Sequence, residues 1–214
     1  FCPSKLIKNE LEKDFWISEK KIFNLSNPVD IQGIRNTFKK INRKTEWKKI
    51  FIASGRLVVQ KGFDRLIDLF QETPPNYHLL ILGEGPEREK LEALVKDLNL
   101  GNKISFLGHQ KNPWIYYANA DAVLISSRWE GMSNVVLEAL ACGAVVISTP
   151  TAGGIQEIEA GKSKKVKIAN MKLPFLKEIK KVKPKMIKRI RKSNLPKKFH
   201  MNIACEEYKK LFSL

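Results

Sequence analysis

Short apolar runs rich in β-branched residues alternate with amphipathic helical segments through the middle of this chain. Runs of this kind indicate buried parallel strands, and their regular alternation with helices predicts βαβ units. The predicted strands cover 50–54, 77–82, 103–107, 122–126 and 144–148. The predicted helices cover 62–71, 86–98, 113–119 and 133–142, with a short helix from Gly154. We therefore expect an α/β fold with a doubly wound, parallel, Rossmann-like sheet.

The length and the cysteines bound the class of protein. A chain of 214 residues is usually one domain with a core of its own. It begins at Phe1 rather than at methionine, which we interpret as a boundary within a longer protein. The three cysteines are odd in number and lack Cys-x-x-Cys spacing, which argues against a disulfide framework or a zinc site. No apolar run approaches the roughly 18 residues of a membrane span, so we expect a cytoplasmic protein.

The net charge of +17 is concentrated in one part of the chain. Residues 161–200 carry a net +15, whereas residues 51–160 carry −4. One interpretation of this basic segment, 162–198, is a solvated lysine-rich surface. The other is a polybasic surface for anionic lipid headgroups, which would place the protein on the inner face of a membrane. Nucleic acid is not expected as a partner, because Phe175 is the only aromatic residue of the segment.

Glu138 is the only charged residue between Met132 and Gly154, and it falls within an apolar helix. An ionised carboxylate buried without partners costs several kcal/mol or more, so Glu138 should lie at the mouth of the sheet or accept strong hydrogen bonds. A sugar diol offers two hydroxyl donors at the spacing of one carboxylate. A second carboxylate, Glu130, lies in the loop before the helix. For either residue the alternative is a hydrogen bond to a nearby backbone amide.

Four predicted loops follow the carboxyl ends of strands, where doubly wound sheets bind ligands. They are 55–56, 83–85, 108–109 and 127–132. A dinucleotide dehydrogenase is disfavoured, because the glycine-rich loop follows the second strand and carries Arg88 where the third glycine of that motif belongs.

Three motifs occur in a fixed order: Arg-Leu-x3-Lys-Gly-Phe-Asp over 56–64, Leu-Gly-Glu-Gly-Pro over 82–86, and Glu-x7-Glu at Glu130 and Glu138. Together they resemble the retaining, nucleotide-sugar-dependent glycosyltransferases of family four, and the resemblance covers about 27–158. It implies one half of the two-domain GT-B fold, namely the carboxy-terminal, donor-binding domain.

The resemblance also implies a division of the chain into three parts. Residues 21–160 would form the nucleotide-sugar-binding domain. Residues 1–20 would be the end of a missing amino-terminal acceptor domain or a linker. Residues 161–214 would be a basic helical extension that ends in a closing helix.

The resemblance assigns roles to single residues. Arg56 and Lys61 match the two cations that hold the diphosphate, with ordinary surface cations as the alternative. Glu138 matches the glutamate that accepts the ribose hydroxyls, and Glu130 the one that contacts the donor sugar. Arg56, Lys61 and Glu130 are the candidate catalytic residues. The wider predicted nucleotide-sugar site adds Gly55, Gly83, Glu84, His109, Gly131, Met132, Ser133 and Asn134.

The helix near Ser133 is expected to take part in binding the diphosphate. Its first backbone N–H groups and its positive dipole end suit a phosphate, and Gly131 leaves room for it to approach. Ser133 suits the N-cap, although members of the resembled family often have proline there.

The implied reaction is front-face displacement with the leaving phosphate as base. It needs no cofactor and no metal, in keeping with the lack of an Asp-x-Asp motif. The acceptor, lipid-linked or a polysaccharide, would lie on the missing domain, so the fragment alone should transfer little. One alternative is a GT-B sugar epimerase or phosphorylase. The other is a non-catalytic, degenerate GT-B module that binds an anionic membrane or nucleic acid.

The basic segment predicts that the chain binds anionic vesicles. Binding should rise with the fraction of anionic lipid and fall steeply with salt, because exposed charges are screened beyond about 8 to 10 Å at physiological ionic strength. Vesicle sedimentation measures both trends, with neutral vesicles as the control. Equal binding to neutral vesicles, or no binding at low salt, would contradict the hypothesis.

Overall fold

A computed structural model of the chain describes residues 1–38, 48–151, 153–160, 165–184 and 191–212. Six parallel strands form one sheet in the order β3-β2-β1-β4-β5-β6. The strands are β1 (Lys49–Ser54), β2 (Tyr77–Leu82), β3 (Ile104–Gly108), β4 (Ala122–Ile125), β5 (Val146–Ser148) and β6 (Val166–Ile168). The predicted doubly wound parallel sheet is confirmed.

Nine α-helices lie within the described residues. They are α1 (Lys5–Lys13), α2 (Ile31–Asn36), α3 (Phe63–Phe70), α4 (Arg88–Asp97), α5 (Trp114–Asn119), α6 (Asn134–Ala141), α7 (Ile155–Ala160), α8 (Leu173–Lys181) and α9 (Met201–Phe212). The predicted helices and strands between residues 50 and 154 agree with the observed ones to within two residues at each end.

The side chains of the central strands alternate between two apolar layers, one on each face of the sheet. In β1, Ile50 and Ile52 point into a layer with α2, α5, α6 and α7, while Phe51 and Ala53 point into a layer with α3, α4 and α8. This two-residue period follows from strand geometry. Because both faces are covered, the strands are apolar throughout, which is why they read as continuous apolar runs.

The strand order reverses at β1. The chain moves from β1 outward through β2 to β3, and then returns to the other side of β1 to form β4. In doubly wound folds, ligands bind in the crevice at such a switch point, beyond the carboxyl ends of the strands. The loops that follow β1 and β4 therefore flank the expected site.

The sheet extends beyond residue 160, where the sequence pattern ended the nucleotide-binding domain. Strand β6 pairs with β5, and Phe175, Leu176 and Ile179 of α8 are buried in the same layer as α3 and α4. The described part of 161–214 thus includes the edge strand and a covering helix of this domain. A helical extension was predicted here without bounds for α8, whereas neither β6 nor α2 was predicted.

The two ends of the chain meet beside the domain. Val29 forms a parallel bridge with His200, with its N–H donating to Phe199 O at 2.8 Å and its O accepting from Met201 N at 3.1 Å. Ser4 caps α1 by accepting a hydrogen bond from Ile7 N at 3.3 Å. The assignment of 1–20 to the end of a missing domain stays a prediction. None of the helices in the described ranges combines the length and the apolar character needed to cross a membrane.

The packing of α8 gives a stability prediction. Phe175 is 0% exposed, so Phe175→Ala should lower the free energy of unfolding by about 3 to 5 kcal/mol through lost burial and a residual cavity. Phe15 is 67% exposed, and Phe15→Ala is the matched control with an expected loss below about 0.5 kcal/mol. Chemical denaturation measures both. Equal small losses would show that α8 is not part of the core.

Candidate functional site

The loop after β4 is held against the start of α3 by one arginine. Arg65 donates from Nε and Nη2 to Ser126 O at 2.9 and 2.6 Å, and from Nη2 to Ser127 O at 2.7 Å. Gly62, at the N-cap of α3, has φ +65°, and a Cβ there would lie 2.3 Å from Ser126 O. Only glycine therefore fits this crossing of the two loops. The contact fixes the carboxyl end of β4 relative to that of β1.

A bidentate ion pair reinforces this contact. Arg128 donates to the two carboxylate oxygens of Asp64 at 2.8 and 2.6 Å, and to Val59 O at 2.8 Å. These hydrogen bonds from Arg128 hold the pKa of Asp64 below its usual range. Gln60 accepts from Arg128 N at 2.7 Å and donates from Nε2 to Trp129 O at 2.9 Å. The two loops therefore behave as one unit.

Two of the predicted catalytic residues contact each other within this unit. Lys61 Nζ lies 3.0 Å from Glu130 Oε1, and the Glu130 side chain is 6% exposed. The Ser127 hydroxyl donates to the same carboxylate oxygen, and Glu130 N donates to Thr151 O at 3.1 Å. Lys61 is thus a cation with a fixed, partly covered position rather than an ordinary surface lysine. Arg56, the other predicted cation, is exposed and forms no ion pair with a described residue.

A cavity of about 430 Å³ opens at the carboxyl ends of β1 and β2. It is lined by six of the predicted site residues, namely Gly55, Arg56, Gly83, Glu84, His109 and Glu138. Six further residues line it that were not predicted: Ser54, Leu82, Gln110, Pro113, Tyr117 and Val135. The backbones after β1 and β2 approach closely here, because a Cβ on Gly83 would lie 1.9 Å from Gly55 O. The predicted convergence of the strand-end loops is confirmed for these residues.

Glu138 lies in the wall of this cavity with little compensation for its charge. Burial raises the pKa of its carboxyl, and the Trp114 indole opposes the rise. The indole Nε1 is itself buried and makes no hydrogen bond of acceptable geometry with the described residues. Burial raises the pKa of Tyr117 and raises that of Cys142 to about 12. The negative charge of Glu138 contributes to both increases. Glu138 is therefore an acceptor in need of donors, as its sequence position predicted.

A second cavity, of about 540 Å³, lies on the other side of Glu138. Its wall is formed by the segment Asn27–Asp30, by Trp114 and by Asn134. Asn27 Nδ2 donates to Asn134 Oδ1 at 2.7 Å, which joins this segment to the start of α6. Sequence reasoning placed Asn134 in the nucleotide-sugar site but gave no sign of this second cavity.

The start of α6 differs in detail from the prediction. Ser133 is the N-cap residue, but its side chain makes no capping hydrogen bond, and its carbonyl instead accepts from Val136 N at 3.1 Å. Ile7 of α1 occupies the space beside Gly131. If Gly131 carried a side chain, its Cβ would lie only 2.4 Å from Ile7 Cδ1. Met132 packs against Gly154 in the same way. Gly131 and Met132 thus contribute to packing as well as to the loop.

Glu84 lies in the cavity wall and is also paired outside it. Arg88, the first residue of α4, contacts the carboxylates of both Glu84 and Glu92. This pairing makes Glu84 a weaker candidate for a ligand contact than Glu138. The described residues contain no group of three or more His, Cys, Asp or Glu side chains placed to hold a metal ion.

Sequence reasoning missed Arg65 and Tyr117. Arg65 comes one residue after the motif over 56–64, at a position where a helix-surface cation is unremarkable. Tyr117 is 1% exposed and looks like an ordinary core residue of an amphipathic helix. Neither residue carries a signal that separates it from packing without knowledge of the fold.

Comparison with known proteins links this geometry to one family. The family model described as Glycosyl transferases group 1 matches residues 34–173. The chain is 39% identical over 158 residues to an uncharacterised glycosyltransferase of Methanocaldococcus jannaschii, over 72% of this chain and 36% of the relative. It is 35% identical over 150 residues to the N-acetylgalactosamine-N,N'-diacetylbacillosaminyl-diphospho-undecaprenol 4-alpha-N-acetylgalactosaminyltransferase of Campylobacter jejuni, over 70% of this chain and 40% of the relative. The chain thus spans less than half the length of these two relatives.

Solved structures share the fold. A protein of Anabaena in complex with UDP superposes with a TM-score of 0.78 at 18% identity, over 100% of this chain and 63% of that chain. The lipopolysaccharide outer core galactosyltransferase WaaB in its apo form gives a TM-score of 0.75 at 22% identity, over 99% of this chain and 61% of that chain. Both are similar in fold over nearly the whole chain.

The burial of Glu138 predicts a pH-dependent stability effect. Because folding raises the pKa of Glu138, the folded chain holds its proton more tightly, and this group lowers the free energy of unfolding as the pH rises through the folded pKa. Glu138→Gln should therefore stabilise the unliganded chain at pH 7, and should do so less near pH 4.

Denaturation at the two pH values measures this difference. Glu72→Gln, on an exposed residue after α3, is the control and should show no such change. The quantity compared is the gain in the free energy of unfolding of Glu138→Gln over the unmodified chain. A gain that is smaller at pH 7 than at pH 4 would contradict the assignment of Glu138 as a destabilising charge.

Proposed function

The chain belongs to the family of group 1 glycosyl transferases, and we propose that it forms the donor-binding part of a retaining enzyme that transfers sugar from a nucleotide diphosphate. The observation that carries the proposal is Glu138. It is a half-buried carboxylate that lines two cavities, at the strand ends where doubly wound sheets bind ligands. A ribose diol supplies the two hydrogen-bond donors that such a carboxylate lacks.

The nucleotide would occupy the cavity of about 430 Å³. With its ribose hydroxyls on Glu138, the base would extend toward the loop of His109 and Gln110, which lines the same cavity. Backbone groups of that loop suit contacts to a base. The lack of a side chain on Gly83 lets the backbones after β1 and β2 lie close together, which shapes the cavity wall at the strand ends.

The diphosphate would lie between Arg56, Lys61 and the start of α6. Arg56 supplies a fork of donors, and Lys61 supplies a point charge whose position the contact with Glu130 fixes. As the glycosidic bond breaks, negative charge grows on the leaving phosphate, so cations and helix N–H groups held in place beforehand stabilise the transition state. Glu130 would also accept a hydroxyl of the donor sugar.

Retention of configuration follows if the acceptor approaches from the side of the leaving group. The acceptor oxygen then forms its bond to the anomeric carbon on the face from which the phosphate leaves, and the departing phosphate oxygen takes the acceptor proton. No side chain needs to act as a general base in this step. Lys61 and Arg56 would hold the phosphate in position to receive the proton.

We propose that the acceptor is bound by a further domain. The chain spans less than half of its curated relatives, and exposed aromatic residues gather at its two ends. Phe1 packs at 5.9 Å from Phe23 and 5.5 Å from Phe212, while Trp16 is 89% exposed. Such an apolar surface suits contact with another domain. The Campylobacter relative is named for a diphospho-undecaprenol substrate, which favours a lipid-linked acceptor, with a polysaccharide as the alternative.

A lipid-linked acceptor would bring the chain to a membrane, and the basic segment would then contact anionic headgroups. Within 162–198, the structure describes 165–184 and 191–198, and lysines of these ranges are exposed on α8 and β6. Contact with the membrane surface is therefore part of the proposal, independent of the donor site.

Equilibrium binding tests the donor site. A thermal-shift screen against UDP, GDP, ADP and CDP first identifies the base. Calorimetry then compares the matching diphosphate and its bare nucleoside. Arg56→Gln should weaken binding of the diphosphate by about 1.5 to 3 kcal/mol, because it removes a charge-assisted contact to phosphate. The affinity for the nucleoside should stay unchanged. Glu138→Ala should weaken both ligands by a similar amount.

Lys90→Gln is the control, since Lys90 is exposed on α4 and outside the cavity. It should alter neither affinity. If no nucleotide stabilises the chain, or if Arg56→Gln weakens diphosphate and nucleoside equally, the proposed orientation of the ligand is wrong.

A further inference from the structure

A groove opens at the end of the sheet opposite the donor site. It has a volume of about 290 Å³ and lies between α8 and the edge of the sheet formed by β5 and β6. Its apolar floor consists of Val145, Ile147 and Val182. Val145 and Asp121 directly precede β5 and β4, so the groove lies near the amino ends of the strands, whereas the donor site lies beyond their carboxyl ends.

Four lysines surround this floor: Lys165, Lys167, Lys181 and Lys183. Lys167 pairs in register with Ile147, whose side chain lies in the layer covered by α8. Strand alternation then places Lys165 and Lys167 on that same face, one on each side of buried Val166. The other two lysines come from the carboxyl end of α8 and the residues just after it.

The two acidic residues of the groove are already engaged. Glu178 Oε1 lies 2.6 Å from Lys181 Nζ. Asp121 is 1% exposed and accepts a hydrogen bond from Ile50 N at 2.8 Å. By contrast, Lys165, Lys167 and Lys183 form no ion pair with any residue in the described ranges. With Lys181 paired to Glu178, the groove thus presents three further ammonium groups against the single buried carboxylate of Asp121, an excess of positive charge.

Structural roles explain single lysines here but not the group. A lysine on an edge strand discourages pairing with another chain, and a lysine at a helix carboxyl end suits the helix dipole. Neither role requires ammonium groups from a strand and a helix to meet around an apolar floor, where they repel one another. An anion bound between them removes that repulsion.

We propose that this groove binds a phosphate group carried on a small organic moiety. The ammonium groups would donate to the phosphate oxygens, and the floor of Val145, Ile147 and Val182 would contact the carbon atoms. A volume of about 290 Å³ leaves room for a ligand the size of glycerol phosphate. That chemistry occurs in the headgroups of anionic phospholipids and in free phosphate monoesters. The site does not depend on nucleotide binding at the other edge.

Calorimetry of the full chain with sn-glycerol 3-phosphate tests the site. The double variant Lys167→Gln/Lys183→Gln removes two groove lysines, and Lys177→Gln/Lys180→Gln removes two exposed lysines of α8 that do not line the groove. Both carry the same change in net charge. We expect the first pair to weaken binding at least about tenfold and the control pair to change it less than about twofold. Thermal unfolding verifies that both variants fold.

Vesicles distinguish the two sources of phosphate. Binding to vesicles with phosphatidic acid, measured against pure phosphatidylcholine, should show the same difference between the variants if the headgroup is the ligand. If the groove variant loses affinity only for glycerol 3-phosphate, the ligand is a free phosphate ester. If it loses affinity only for the vesicles, the ligand is a lipid headgroup. Equal losses in both double variants, or no binding to either probe, would overturn the proposal. None of these outcomes depends on nucleotide binding.

Discussion

The hydrogen bonds from Arg65 to the carbonyl oxygens of Ser126 and Ser127 join the two loops at the point where the strand order reverses. Both carbonyls end a buried strand, and a buried carbonyl left without a partner costs about 1 to 3 kcal/mol. Arg65 is the donor to Ser126 O, whereas Ser127 O also accepts from the Thr149 and Thr151 hydroxyls at 2.8 Å. Gly62 provides the space for this crossing. Lys61 and Glu130 belong to these same two loops, so their contact is a consequence of this junction. The geometry of the proposed donor site thus depends on a residue that lines neither cavity.

The central sheet could be predicted because each strand is apolar on both faces, and the bounds of β2 were predicted without error. Strand β6 and the bounds of helix α8 were missed for a physical reason. An edge strand needs only one paired side, and the three residues of β6 include the exposed Lys167. In α8, the buried Phe175 and Ile179 share their helix with three lysines, so the net charge of the segment concealed its apolar stripe.

The residues of the candidate site likewise fall into those that could be placed from the sequence and those that could not. Residues fixed by strand ends and short motifs, such as Arg56 and Glu138, could be placed from the sequence, because parallel strands bring their carboxyl ends to one edge. The position of Ile7 beside Gly131 could not, because it depends on packing between segments more than a hundred residues apart. Tyr117 was missed because burial beside a functional carboxylate looks the same in sequence as burial in a core.

The sheet also separates two electrostatic environments. Strand β1 has six residues, so about 20 Å lie between its amino and carboxyl ends. That distance exceeds the Debye length of about 8 Å at physiological ionic strength, and surface charges at one edge are therefore screened from the other. At the carboxyl edge, Lys61 is neutralised by Glu130, while the lysines around the groove gather at the amino edge. The lysines on α8, on β6 and beside them thus carry no information about what the opposite edge of the sheet binds.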